Sequence, residues 1–144
     1  MTNQANFAPQ ESTALEALAQ LYRARMTQIT YSSPHVDGWM SRSSAGRRIR
    51  LGVLSRFLGH HTIGKLYIGL LRSFDRRRFE ITIIHAVQAP EDAFRRRLDV
   101  LADHVINLPT DLVRQHETIA QAELDVLFYP DIGMGADSYL LAFA

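Results

Sequence analysis

The sequence predicts an α/β domain built on an open parallel sheet, and three observations carry that prediction. Four short runs, IRLGVLS, FEITIIH, VINLP and LDVLFYP, are apolar and hardly alternate, the texture of strands buried on both faces. The segments between them repeat apolar residues at about 3.6-residue spacing, as amphipathic helices do. Helix-start chemistry, Pro90-Glu91-Asp92 and Thr110-Asp111, precedes two of these segments.

The elements follow in order. Residues 1–10 are polar and expected to fray. Thr13 with Glu16 fits a capping box and predicts a helix from about 13 to 27, with Leu15, Leu18, Tyr22 and Met26 on one face. An N-terminal helical unit, 1–30, thus precedes a Ser-, Gly- and Pro-rich linker, 31–47, which Trp39 is expected to pin to an apolar surface. The α/β part occupies 48–144. Its helical stripes are Ile63, Leu66, Tyr67, Leu70, Leu71 and Phe74, then Phe94, Leu98 and Leu101, then Leu112, His116, Ile119 and Ala120. The runs DRRRFE and FRRRLD read as helix ends or solvated faces. The order β-α-β-α-β-α-β-(α), joined by right-handed crossovers and wound like a mononucleotide-binding half, gives strand order 3-2-1-4. LDVLFYP is then an edge strand able to pair with a second chain. That edge and the uncapped YLLAFA ending lead us to expect a fragment of something larger.

Composition narrows the chemistry. The chain has 144 residues, a net charge of +1 and no cysteine, which excludes disulfides and thiolate catalysis. The near-neutral balance gives no global electrostatic reason for a nucleic acid partner. The N-terminus lacks the pattern of a signal peptide, and no run approaches the ~18 apolar residues of a membrane span. A cytoplasmic location without a membrane partner is expected.

In such a sheet, ligands bind beyond the C-terminal ends of the strands. LSRFLGHHTIGKL places His60, His61 and Thr62 at the first corner, with Lys65 one turn on. A histidine there can take a proton from a hydroxyl; equally, both can be loop residues with Thr62 as the helix cap. Lys65 can meet a phosphate or carboxylate, or simply be solvated. His85 follows the second strand, and Asp131 and Gly133 follow the fourth. Asp131 can orient a base or accept a ligand hydroxyl, but aspartate is also common turn chemistry. His104 falls at the opposite edge, and His116 lies mid-helix. GMGADS is a poor dinucleotide fingerprint in the wrong place, and the histidines lack metal-ligand spacing, so neither nicotinamide nor metal is expected.

At these residues the sequence resembles a known family. RIRLGVLSRFLGHHTIGKLYIGLLRSFDRRRFEITIIH is similar to the start of the catalytic region of the O-linked N-acetylglucosamine transferase family, SPINDLY-like in bacteria (glycosyltransferase family 41). LDVLFYPDIGMGADSYLLAFA resembles a later stretch of the same half-domain. His61 fits the family's loop histidine, flanked by Ser55 and Gly59. The resemblance implies the first part of a GT-B architecture, two Rossmann-like domains facing a cleft. It implies metal-free transfer from a UDP-sugar to a serine or threonine of a protein acceptor. His61 would be the catalytic or positioning group, with His60, Thr62, Lys65, His85, Asp131 and Gly133 lining the acceptor side. The N-terminal helix and linker resemble the segment joining TPR repeats to the catalytic region. Lys65 stands where relatives often have a second histidine. Phe57 or Arg56 replaces a loop acid, and Asp131-Ile132 replaces an asparagine-glycine turn.

Three readings follow. The chain is the acceptor-side half-domain of a UDP-sugar-dependent protein glycosyltransferase, inactive without a second GT-B domain. Alternatively, it is a non-catalytic module that pairs through its edge strand, for instance as a homodimer. A third reading is a flavodoxin-like binder holding a phosphate at the His61-Thr62 helix start.

Overall fold

A computed structural model of the chain describes residues 9–26, 30–41 and 46–142. Four parallel strands form one sheet: β1 (Ile49–Ser55), β2 (Phe79–His85), β3 (His104–Asn107) and β4 (Val126–Phe128). Their order is β3-β2-β1-β4, as expected from the sequence. A flavodoxin-like winding would seat β3 beside β1, so the third reading falls. The described helices are α1 (Pro9–Arg25), α2 (Thr62–Ser73), α3 (Ala93–Asp99), α4 (Leu112–Gln121) and α5 (Ala136–Leu141).

The strands are apolar on both sides because both faces are covered. Leu51 and Val53 of β1 join Ile81 and Ile83 of β2 in a core with Leu71 of α2 and Leu98 of α3. Leu54 and Ile84 point the other way, packing with Leu108, Leu124 and Leu141, flanked by Leu112 and Ile119 of α4. Thus α2 and α3 cover one face, α4 and α5 the other. The winding reverses between β1 and β4, and that reversal opens the crevice where open α/β sheets bind ligands.

The N-terminal rim is held by charge. Asp125 accepts the Arg50 N–H at 2.9 Å, and Arg47 grips it with two bonds of 2.6 Å. Asp103 accepts the Ile81 N–H at 2.8 Å and meets Arg48 and Arg76 at 2.8 and 3.0 Å. Arg47 holds the Asp125 carboxyl below its usual range. Burial alone would raise Asp103, but the Ile81 N–H and Arg48 outweigh it. His104 opens β3 at this same rim, 3.1 Å from Glu80, at the edge the sequence assigned it.

Four expectations change. Helix α1 starts at Pro9, a residue suited to a first helical turn, so Thr13 lies inside it rather than at its cap. Leu18, Tyr22 and Met26 are exposed, so this stripe makes no packed face; the Leu15 side chain lies outside the described residues. The linker contains a 3-10 helix, Pro34–Ser41, and docks on the domain: Tyr31 stacks on His116 at 5.1 Å and His35 Nε2 donates to the Leu124 carbonyl at 3.0 Å. The Trp39 side chain lies outside the described residues, as does most of the segment expected to fray. Helix α2 ends at Ser73, so DRRRFE is a turn into β2, tied by the Arg77 N–H to Asp75 at 3.0 Å.

Helix α2 is seated by two glycines. A Cβ on Gly64 would stand 2.2 Å from the Gly59 carbonyl oxygen, whereas one on Gly69 would meet nothing within 4 Å. Gly64→Ala is therefore expected to destabilise the domain by about 1–3 kcal/mol. Gly69→Ala, in the same helix, should stabilise it by roughly 0.5–1 kcal/mol. Urea unfolding of the two variants checks the opposite signs.

Candidate functional site

The chemistry-bearing residues gather at the C-terminal rim, in two groups. The first lies at the crevice between β1 and β4. Beyond Ser55 the backbone turns sharply, with the Ser55 hydroxyl oxygen accepting the Phe57 N–H at 2.9 Å. Phe57 stacks on His61, ring centroids 4.5 Å apart, and Arg56 lies 5.5 Å from the same phenyl ring. Arg56 also reaches the turn that follows β4: its Cδ would be 3.6 Å from a Cβ at Gly135, and its charge acts on Asp131. A continuous run of contacts, His61–Phe57–Arg56–Asp131, thus links the two corners flanking the crevice.

His61 is the N-cap of α2. Its Nδ1 accepts the Ile63 N–H at 3.2 Å, while its carbonyl accepts the Lys65 N–H at 3.0 Å. Thr62, weighed as the cap in the sequence, is instead the first helical residue and is exposed. The cap assigns the neutral tautomer: a ring nitrogen that accepts carries no proton, so the proton sits on Nε2. In this geometry His61 offers a donor rather than a base. Lys65 is exposed on the next turn.

Asp131 is buried, 2% exposed, and neither carboxylate oxygen has a hydrogen-bond partner of full geometry among the described residues. Burial raises its pKa above the ordinary carboxylate value. The Ser55 hydroxyl and the Arg56 charge act to lower it and do not win. Gly133 sits in the turn that follows, at φ +85, where a side chain would be strained. The turn is closed by the Met134 N–H on the Asp131 carbonyl at 2.9 Å.

The second group lies over β2 and β3. His60 is separate from its neighbour in sequence. It is exposed, its ring meets the edge of Phe94 at 6.3 Å, and its N–H donates to Asp92 at 2.7 Å. Asp92 also caps α3 through the Arg95 N–H at 2.7 Å, so one carboxylate ties the two loops together. His85, expected to line the cleft, ends β2 as anticipated but is only 1% exposed. Its Nε2 donates to Asp99 at 2.7 Å, and Arg95 stands 3.7 Å from the same carboxylate and bonds to Asn107 and the Ala89 carbonyl. Burial lowers the His85 pKa, with Asp99 opposing. This polar group braces the ends of β2 and β3 from inside, because strand β2 is central and α3 closes over its end. His85 therefore does not meet His60 or His61.

Phe57 and Asp92 are the residues that sequence reasoning passed over as site components. Phe57 stands only two positions past a strand end. Asp92 was legible as a helix cap, but nothing in the sequence reveals that its second oxygen reaches the first corner. Among the described residues, no three metal-ligating side chains converge, and no helix is long and apolar enough to cross a membrane.

The fold is similar to that of a solved O-GlcNAc transferase from Thermobaculum terrenum, a point mutant. The TM-score is 0.68 at 20% sequence identity, over 96% of this chain and 25% of that one. The chain thus spans about a quarter of that protein's length, and the likeness establishes the fold. No protein-family model matches the chain, and no curated protein does.

The buried carboxylate makes a stability prediction. Asp131 binds its proton more tightly in the folded than in the unfolded chain. Its contribution therefore falls as pH rises from below the ordinary 3.8 through the raised folded value. Asp131→Asn should unfold at a higher temperature than the parent at pH 7. The gain should shrink as both are brought toward pH 3, as followed by circular dichroism.

Proposed function

We propose that the chain forms the acceptor-side part of a UDP-sugar-dependent protein glycosyltransferase, completed by a second domain that faces its C-terminal rim. The observation that carries this reading is the continuous His61–Phe57–Arg56–Asp131 run at the β1–β4 crevice. It lies in a fold shared over nearly the whole chain with an O-GlcNAc transferase. The motif resemblance around His61 points the same way. A half-cleft cannot hold donor and acceptor in reacting geometry, so activity belongs to the longer bacterial, cytoplasmic enzyme, with α1 and the linker leading from a TPR-like region.

In that enzyme His61 presents Nε2–H to the acceptor side and orients the hydroxyl of a serine or threonine. Asp131 shapes the crevice floor behind Arg56. Thr62, Lys65 and Gly133 form the surrounding rim, His60 lies farther along it, and no step is assigned to a metal. His61→Ala in the full-length enzyme is expected to lower transfer from a UDP-sugar to acceptor peptide at least tenfold. His61→Asn, which keeps a capping oxygen, separates helix capping from the imidazole. Transfer unchanged in both variants removes His61 from the mechanism.

A second reading rests on the sheet edge. The outer side of β4 pairs with no strand among the described residues, and Val126 and Phe128 are exposed there. Beside them lies a 310 Å³ apolar groove walled by Tyr67, Leu70 and Phe74. Such an edge suits pairing with a second copy. A non-catalytic module of this kind would sediment as a dimer that Val126→Lys converts to monomer, and the full-length protein would transfer no sugar.

A further inference from the structure

The linker does not lie flush on the domain. Between it and the face formed by α4, β4 and α5 remains a chamber of 260 Å³. Its walls are mostly apolar, with Ile119, Leu124, Leu127 and Leu141 from the domain and the Tyr31 ring from the linker. His116 lines it and is 3% exposed, and its Nε2 has no hydrogen-bond partner. Of the other polar side chains of the wall, Ser32 is exposed, and Ser33, His35 and Tyr129 are engaged. Ser33 donates to His35 Nδ1 at 2.6 Å, His35 Nε2 donates to the Leu124 carbonyl, and the Tyr129 hydroxyl donates to the Leu141 carbonyl at 3.2 Å. Burial here pushes the Tyr129 phenol up to about 12 and the His116 imidazole down, marks of a poorly solvated space.

A mostly apolar chamber with one buried, unsatisfied ring nitrogen narrows its ligand. Pockets for small molecules have this composition, apolar walls and few polar groups that fix orientation. A water molecule needs about 2–4 polar partners, and of the wall's buried polar side-chain atoms His116 Nε2 alone is without one among the described residues. A cavity of about 150 Å³ admits a benzene ring, so this one has room for a ring and its substituents. The parallel stack of Tyr31 on His116, 20° between planes, favours a flat guest beside it. We propose that this chamber binds one small planar aromatic molecule bearing a single hydroxyl, a phenol, hydrogen-bonded to His116 Nε2 and clasped between linker and domain. A hydroxyl suits the site because it can give or accept, matching either tautomer of a neutral imidazole. The proposal is independent of sugar transfer.

Calorimetric titration of the chain with p-cresol and with toluene, its isostere without the hydroxyl, tests the idea. Saturable one-to-one binding of p-cresol is expected, with toluene at least about tenfold weaker for lack of the bond. Ala120→Phe, which puts a ring into the chamber, should abolish p-cresol binding while circular dichroism stays unchanged. His116→Leu should bring p-cresol down to the level of toluene. If that variant does not fold, the p-cresol to toluene ratio on the parent chain decides. Absence of saturable p-cresol binding to the parent overturns the proposal. So does equal affinity for toluene, full binding by a folded Ala120→Phe, or a preference for p-cresol that survives in a folded His116→Leu.

Discussion

Strand β1 is the constraint from which the rest of the domain follows. It pairs along its length with β2 and over three positions with β4, and its side chains feed both cores. A strand so enclosed must be apolar on both faces, and helices must lie on both sides of the sheet. The chain must therefore cross from one face to the other, and it does so between β1 and β4. That crossing fixes where the loops part and hence where a ligand can enter. Every group in the crevice stands within a few residues of the ends of β1 or β4.

Local chemistry then sharpens the position of each group. His61 is immobilised because its own imidazole closes the first turn of α2, and Phe57 covers one face of the ring. The helix could not approach so closely with a side chain at Gly64. Asp131 is the opposite case, a carboxylate held in place against its solvation preference. Such a cost is tolerated in folded proteins at sites of function more than elsewhere, since groups there are arranged for chemistry rather than for stability. The bracing of β2 and β3 by His85, Asp99, Arg95 and Asn107 keeps the neighbouring rim rigid without opening it to solvent.

Much of this architecture was legible in the residues. Unbroken apolar runs gave the strands, and Asp92 and Asp111 cap the helices that their positions announced. Strand order followed from the winding rule, because short connections and a central first strand leave few alternatives. The site was legible as a set of corners but not as contacts. Position in the chain shows that His60 and His61 share a loop; it does not show that one caps a helix while the other turns toward Phe94. His85 stands at a strand end as anticipated, yet burial depends on how α3 folds over that end, which no local pattern encodes. Helix α1 misled for a related reason. Its apolar residues recur at the right interval, but Leu18, Tyr22 and Met26 are exposed.

The arginine–aspartate lacing at the N-terminal rim has a practical consequence. Charge laces one end of the sheet and the crevice lies at the other, separated by the length of β1. Ionic strength reaches the first end, where the pairs are partly exposed, and hardly touches the second, where the decisive contacts are aromatic or buried. An engineer could thus toughen the scaffold through charge without disturbing the crevice, and a buffer rich in salt would loosen the N-terminal rim before it reached the contacts at the other end.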